Sequence, residues 1–170
     1  NSLQTEKEAF EKFLEESMVQ WEPNQIIPEF YSVLRVSKIR SSRQFNEGHF
    51  SFQDVSSGLV TNLLKPTEGD SVLDVCAAPG GKSGYMAELM RNSGSVYAFD
   101  VDADRYALLK ESMKRLKLNS VNVAQKDATA DSFQVFDKIL IDAPCTGTGV
   151  MAKRADLKWR RRPSDLDEMV

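Results

Sequence analysis

From about residue 70 onward, short apolar runs alternate with amphipathic segments. The apolar runs are partly β-branched and predict four buried strands, at residues 71–77, 95–100, 120–125 and 136–142. Residues 82–92 and 103–117 carry apolar side chains three to four apart, which predicts helices. Strands that alternate with helices of this length form βαβ units around a parallel sheet. We therefore expect an α/β, Rossmann-like sheet with helices on both faces.

Residues 1–44 lack this alternation and are expected to form a small helical or mixed helper segment beside the core. Apolar side chains in residues 2–22 recur as they do on one face of an amphipathic helix. Pro23 would end that helix, because proline cannot continue the hydrogen-bond ladder. Residues 24–45 combine short apolar runs with Pro28, and we expect one or two strands there.

The core is placed at residues 45–170 and begins with two shorter elements. Residues 48–55 alternate polar and apolar side chains, which predicts a short strand. Residues 56–64 are typical of a helix that closes at Pro66. The chain does not begin with Met and stops soon after a new helical pattern at Ser164, so we expect a fragment that lacks its C-terminal strands.

The composition is typical of a globular domain and disfavours membrane-spanning, secreted and disulfide-rich proteins. The chain has 170 residues, with 41% hydrophobic and 28% charged side chains, which are the values of an ordinary globular domain. Its apolar runs are far shorter than the roughly 20 residues of a membrane span, and its charged N-terminus is unlike a secretory signal. Two cysteines make neither a disulfide framework nor a repeated metal-ligand spacing. We expect a cytoplasmic monomer without a metal.

Positive charge is concentrated in two strips, although the net charge is −3. Residues 35–43 hold four Lys or Arg and no acid, and residues 153–162 carry a net +5. Cations beside an aromatic ring suit phosphate contact and base stacking. The predicted RNA-binding residues are Lys153, Arg154, Lys158, Trp159, Arg160, Arg161 and Arg162. The alternative is a solvated face, or structural salt bridges made by Arg160–Arg162.

A glycine-containing loop follows the first core strand. Residues 74–84 read DVCAAPGGKSG, and glycines let backbone approach a ligand closely. The helix that follows presents free N–H groups to a carboxylate or phosphate. The loop matches neither GxGxxG nor GxxxxGK[ST], which disfavours a dinucleotide or a P-loop. The predicted cofactor-binding residues are Cys76, Ala77, Ala78, Pro79, Gly80, Gly81 and Lys82; the alternative is a tight turn, with Cys76 structural.

Three acids follow the next three strands. Asp100 ends the second strand, Asp127 follows the third and Asp142 ends the fourth. In a parallel sheet these positions meet at one edge, where ligands bind, and an acid after the second strand typically accepts ribose hydroxyls. Carboxylates repel phosphate, so a cofactor with a ribose and an ammonium group fits better than a nucleotide. The pattern predicts S-adenosylmethionine, although each acid alone also suits a turn or a helix cap.

A thiol follows the last of these acids. Residues 142–150 read DAPCTGTGV, which puts Cys145 at the same edge. Cysteine suits covalent catalysis: a thiolate that adds to the 6-carbon of cytosine makes the 5-carbon nucleophilic toward a methyl group. Asp142 and Cys145 are the predicted catalytic residues. The alternative for Cys145 is a small side chain packed in a turn.

These motifs together resemble the Sun/NOL1/NOP2 (NSUN) group of RNA cytosine-5 methyltransferases, with the bacterial rRNA enzymes most similar. The resemblance covers about residues 45–170 and rests on QDVSSGLV (53–60), VLDVCAAPGGKS (72–83), AFDVDADR (98–105), ILIDAPCTGTGV (139–150) and DLKWRRRPSDL (156–166). It implies methylation of a cytosine in rRNA or tRNA, with S-adenosylmethionine as the cofactor and RNA as the partner.

The resemblance also assigns roles to individual residues. It implies that the loop backbone holds the methionine part of the cofactor, Asp100 the ribose and Asp127 the adenine side. Asp142 would lie near the transferred methyl group and the base. In this group the nucleophile belongs to a Thr-Cys motif on a later loop, which residues 1–170 do not contain. The Pro-Cys cysteine, Cys145, would then assist product release, and this fragment would be inactive alone.

Two other functions stay open from the sequence. The first is a methyltransferase on another substrate, such as DNA or a protein amide. The Pro-Pro-Tyr type of motif used for exocyclic or amide nitrogens is absent, because Ala143 and Cys145 stand in place of its first Pro and its Tyr. The second is a non-catalytic fragment that binds the cofactor or RNA.

Overall fold

The computed structural model describes residues 1–152, 155–160, 162 and 164–167. The core begins with helix α4 (Val55–Leu64) and continues as β3 (Ser71–Asp74), α5 (Gly81–Leu89), β4 (Ser95–Asp100), α6 (Ala103–Leu116), β5 (Val121–Gln125) and β6 (Lys138–Leu140). Within the described part of the chain, the four core strands pair in the order β5-β4-β3-β6, and every pair is parallel. The predicted α/β fold, a parallel sheet flanked by helices, is confirmed.

The two faces of the sheet pack against different partners, because successive side chains of a strand point to opposite sides. Val72 and Val96 belong to a buried cluster with Met86 of α5 and Leu109 of α6. Full burial of one such side chain stabilises the fold by about 1.5–3 kcal/mol. On the other face, Phe99 packs with aromatic side chains from the loop after β5, and its ring lies 5.7 Å from that of a stacked phenylalanine, Phe133.

The N-terminal segment contains α1 (Lys7–Glu16), β1 (Trp21–Pro23), β2 (Tyr31–Val33), α2 (Ser37–Arg40) and α3 (Arg43–Asn46). The helix predicted over 2–22 is therefore shorter, and its last predicted turn is a strand. Met18 has a positive φ of 51°, which ends the helical path. Trp21 then pairs with Val33 in an antiparallel hairpin, and its ring packs against Tyr31 at 5.7 Å.

Residues 48–55 do not form the predicted strand. Gly48 has a φ of +84°, which is outside the β region, and Asp54 caps α4 by accepting a hydrogen bond from Ser56 N at 3.0 Å. Phe50 is buried in an aromatic cluster with α1, whereas Phe52 is 41% exposed. The alternation in the sequence reflects this packing of an irregular segment and not a pleated strand.

Arg115 connects α6 to α3 and to the chain that follows α3. Its Nη1 donates hydrogen bonds to the carbonyls of Phe45 at 2.6 Å and Phe50 at 3.0 Å. Its guanidinium also lies 4.0 Å from the centroid of the Phe45 ring. All of these contacts lie on the core side of the boundary predicted between residues 44 and 45, and that boundary stays a prediction.

The last described residues form short elements: a 3-10 turn at Thr148–Val150, α7 (Leu157–Arg160) and α8 (Ser164–Asp167). Over the described ranges, no helix combines the length and the apolar character needed to cross a membrane.

Candidate functional site

The cofactor loop predicted from the sequence joins β3 to α5. Gly80 occupies the N-cap of α5 with a φ of +103°. A Cβ added there would lie 2.6 Å from Met113 Cε and 2.9 Å from Leu109 Cδ1, so a larger residue would strain the turn and crowd α6. The first N–H groups of α5 have no partner within the helix and point toward the sheet edge where the loop lies.

Asp74, at the end of β3, lies beneath this loop. Its carboxylate is 1% exposed, and Oδ2 accepts a hydrogen bond from Ser83 Oγ at 2.7 Å. Burial raises the pKa of Asp74 to about 6, against the opposing effect of the Ser83 hydrogen bond and the positive charge of Lys82. Oδ1 is buried and has no hydrogen-bond partner among the described residues. The base of the loop therefore retains an acceptor.

Asp100 lies at the end of β4, beside the loop. Its side chain is 4% exposed, and Oδ2 accepts a hydrogen bond from Ala78 N at 3.2 Å. Oδ1 accepts from Asp102 N at 3.2 Å. Arg105 Nη2 lies 3.2 Å from Oδ2 and also donates to the Ala78 carbonyl at 3.1 Å. The structure thus brings Asp100 into direct contact with the predicted cofactor loop.

Lys82 and Asp142 join the cofactor loop to the loop after β6. Lys82 Nζ lies 2.5 Å from Asp142 Oδ2, and the two side chains are 21% and 54% exposed. Strands β3 and β6 are neighbours in the sheet, so their carboxyl ends place these two loops side by side. Ligands of open α/β sheets bind in a crevice of this kind.

Asp127 is partly buried and is hydrogen-bonded within its own loop. Its Oδ1 accepts hydrogen bonds from the side chain of Thr129 at 2.7 Å and from Thr129 N at 2.8 Å. These bonds lower the pKa of Asp127. It follows β5, two strands away from β3 in the sheet order, and its predicted contact with the adenine side stays a prediction.

The two cysteines differ in environment. Cys145 is exposed in the loop that follows Asp142. Cys76 is partly buried within the cofactor loop, and burial, followed by the negative charge of Asp100, raises the pKa of its thiol. A raised pKa disfavours the thiolate, which agrees with a structural interpretation of Cys76.

The basic strip near the end of the chain is partly described. Lys158, Trp159 and Arg160 lie on α7 and are exposed, with Trp159 91% exposed. The alternative to RNA contact is a set of structural salt bridges made by Arg160–Arg162. One such ion pair is present, because Arg160 Nη1 lies 3.4 Å from Asp156 Oδ2. The Arg162 side chain is exposed. The predictions for Lys153, Arg154 and Arg161 lie outside the described residues.

Sequence reasoning did not single out Asp74, Arg105 or Gln53 as site residues. Gln53 packs against Gly81 at the start of α5, since a Cβ added to Gly81 would lie 3.4 Å from its Cδ. It also lines a cleft of about 1010 Å³ between the N-terminal segment and α5, which contains none of the predicted site residues. All three residues belong to motifs that the sequence displays, but their roles depend on contacts that a linear pattern does not reveal.

The described residues fit S-adenosylmethionine. The free N–H groups of α5 suit the carboxylate of its methionine part, and the unpartnered Asp74 Oδ1 suits the ammonium group. Asp100 offers a fixed carboxylate for the ribose hydroxyls. Among the described residues, no three or more His, Cys, Asp or Glu side chains are grouped so that they could hold a metal ion.

A parallel sheet with a glycine-containing loop after its first strand and a buried acid after the next defines the Rossmann-like class of S-adenosylmethionine-dependent methyltransferases. Within this class, the sequence matches one family. The sequence model described as 16S rRNA methyltransferase RsmB/F matches residues 61–170. The chain belongs to the RsmB/F family.

Individual relatives agree with this assignment. The chain is 43% identical over 131 residues to the probable ribosomal RNA small subunit methyltransferase B of Bacillus subtilis strain 168, an alignment that covers 75% of this chain and 29% of that protein. The crystal structure of PH0851 superimposes with a TM-score of 0.91 at 37% identity, over 99% of this chain and 39% of that one.

A second solved structure contains a ligand. NSun6 from Pyrococcus horikoshii, solved with SFG, gives a TM-score of 0.60 at 37% identity, over 64% of this chain and 29% of that one. The chain therefore spans well under half the length of each of these relatives.

Proposed function

We propose that the protein containing this chain methylates the 5-carbon of a cytosine in ribosomal RNA, as a cytoplasmic monomer. The observation that carries the proposal is the Lys82–Asp142 ion pair, because it joins the predicted cofactor loop to the loop that bears Cys145. Membership in the RsmB/F family supports RNA as the substrate. A methyl donor and a target base would meet at this contact.

The chain's own residues would hold and orient the cofactor. The first N–H groups of α5, together with the backbone of residues 76–82, would bind the methionine part. Asp100 would accept hydrogen bonds from the ribose hydroxyls, and Asp127 would face the adenine side. When bound, S-adenosylmethionine supplies the methyl group.

Asp142 and Cys145 would act on the base. An aspartate carboxylate accepts a hydrogen bond from the exocyclic amino group of cytosine, and Lys82 holds Asp142 at the junction of the two loops. By the family resemblance, Cys145 assists product release after a thiol of a Thr-Cys motif has added to the ring. Residues 1–170 contain no Thr-Cys pair, so the proposal assigns the nucleophilic thiol to none of them.

The exposed face of α7 would contact the RNA around the target. Trp159 projects a ring that is 91% exposed, and Lys158 places a cation beside it. Stacking on such a ring suits an unpaired base, and a base must be unpaired or flipped out for methylation of its ring.

The test is methylation of unmodified 16S rRNA by the complete polypeptide with methyl-labelled S-adenosylmethionine, followed by nucleoside analysis. Label in 5-methylcytidine is the expected result. Asp142→Asn should lower kcat/KM roughly 10- to 100-fold, as expected when a hydrogen bond to a charged group is weakened. Asp104→Asn is the matched control, because Asp104 is an exposed aspartate in the first turn of α6, and its activity should stay within about twofold of wild type.

Two results would contradict the proposal. Label in a nucleoside other than 5-methylcytidine would exclude the proposed target atom. Equal activity of Asp142→Asn and Asp104→Asn would exclude a role for Asp142 at the base.

A further inference from the structure

Arg105 connects two parts of the candidate cofactor site without belonging to the glycine loop. Its Nη2 lies 3.2 Å from Asp100 Oδ2 and 3.1 Å from the carbonyl oxygen of Ala78. Ala78 N donates to the same Asp100 oxygen at 3.2 Å. One guanidinium nitrogen thus holds the end of β4 and the cofactor loop together, from the first turn of α6.

The helix start fixes Arg105 in this position. Asp102 is the N-cap of α6, and its carboxylate accepts a hydrogen bond from Arg105 N at 2.8 Å. Asp102 N in turn donates to Asp100 Oδ1 at 3.2 Å. Asp100 is therefore held through both carboxylate oxygens. Asp102 N, at the start of α6, binds Oδ1, and Arg105, in the first turn of the same helix, binds Oδ2.

The electrostatic reason for the arginine is the burial of Asp100. A carboxylate that is 4% exposed loses most of its hydration, which is costly unless a cation or hydrogen-bond donors replace the water. Arg105 is 43% exposed, so its own cost of desolvation is smaller. The arginine replaces part of the lost hydration of this carboxylate and keeps it directed at the loop edge.

We propose that Arg105 is a positioning residue for the cofactor, acting through Asp100 and the Ala78 carbonyl. The inference rests on the proposed role of Asp100 at the ribose. Without Arg105, the carboxylate would lose its cation and the loop would lose the link from Ala78 to α6. The ribose acceptor would then be misplaced, although Arg105 itself has no contact with the ribose in this proposal.

The experiment is calorimetric titration of S-adenosylhomocysteine into the complete polypeptide. Wild type is compared with Arg105→Gln, Asp100→Asn and the double variant. Arg105→Gln should weaken binding roughly 10- to 100-fold, which is the range for losing a hydrogen bond between charged groups. The double variant should bind about as weakly as Asp100→Asn alone, because two residues that act through one contact are not additive. Arg105→Lys, which retains the charge, should recover most of the affinity.

Lys110→Gln is the matched control, since it removes one exposed positive charge from the same helix. Its affinity should equal that of wild type, and the Tm of each variant without ligand identifies any that fail to fold. Binding by Arg105→Gln within twofold of wild type would overturn the inference, as would losses in Arg105→Gln and Asp100→Asn that multiply in the double variant. Wild-type affinity in Asp100→Asn, or no binding by wild type, would refute the proposed cofactor site itself and the inference with it.

Discussion

Replacing Gly48 by alanine should destabilise the contact between the chain that follows α3 and α6. Gly48 has a φ of +84°, and it passes directly against the backbone of that helix. A Cβ added at this position would lie 2.0 Å from the carbonyl oxygen of Arg115 and 2.9 Å from its carbonyl carbon. Neither atom is the end of a flexible side chain, so the two backbones must move apart to accept the methyl group.

The expected cost has two parts. A left-handed conformation costs a non-glycine residue about 1–2 kcal/mol. Overpacking against a fixed neighbour adds about 1–3 kcal/mol. Together, Gly48→Ala should lower the free energy of unfolding by about 2–5 kcal/mol. For a domain of this size, that corresponds to a fall in Tm of about 4–20 °C.

Gly69→Ala separates the two parts, because Gly69 has a similar φ of +89° but has nothing within 4 Å of the added Cβ. It should cost about 1–2 kcal/mol, from the backbone conformation alone. Urea unfolding followed by circular dichroism, with calorimetric Tm values, measures both variants. Equal losses of unfolding free energy in Gly48→Ala and Gly69→Ala would refute the steric argument. An unchanged unfolding free energy in Gly69→Ala would refute the argument from backbone conformation.

Two further predictions concern a buried acid and an exposed ring. Folding raises the pKa of Asp74 to about 6, so the protein loses stability as the pH rises from about 4 through 6 and this buried carboxyl ionises. Asp74→Asn should therefore flatten the pH dependence of the unfolding free energy across that window and raise the unfolding free energy at pH 7.5 by up to about 3 kcal/mol. An unchanged pH profile in this variant would contradict the prediction. Trp159→Ala should weaken binding of single-stranded RNA by about 1–3 kcal/mol for each base stacked on the ring. In the same binding assay, Leu63→Ala, which also removes an exposed apolar side chain, should have no effect.

Local signals were sufficient to predict the sheet. The strand predicted at 95–100 has the bounds Ser95–Asp100, and the helix predicted at 103–117 is Ala103–Leu116. The start of this helix is fixed locally, since Asp102 caps it by accepting a hydrogen bond from Arg105 N. In these segments periodicity, capping and burial all favour one structure, which is the condition under which sequence patterns are most informative.

The N-terminal segment was harder to predict, because tertiary contacts decide its structure. Trp21 continues the apolar spacing of α1, yet it lies in a strand whose partner begins ten residues later. Phe50 and Phe52 alternate with polar residues, but the first is buried in an aromatic cluster and the second, whose ring contacts Phe50, is 41% exposed. Neither outcome follows from spacing along the chain.

The candidate site, too, could be predicted from the sequence only in part. The positions of Asp100 and Asp142 after their strands follow from the sequence, because strand ends are visible as the ends of apolar runs. The ion pair of Asp142 with Lys82 depends on β6 lying beside β3, and strand order cannot be read from the pattern. The ligand contacts proposed for these residues stay predictions.

The sheet order also affects how the chain folds during synthesis. Strand β3 lies between β4 and β6, and Val72 pairs with Lys138, 66 residues later. Contacts between residues so distant in sequence close a long loop and slow folding. On the ribosome, one edge of β3 must stay unpaired until residues 138–140 have left the exit tunnel. Until then, that edge of β3 is open to aggregation or to capture by a chaperone.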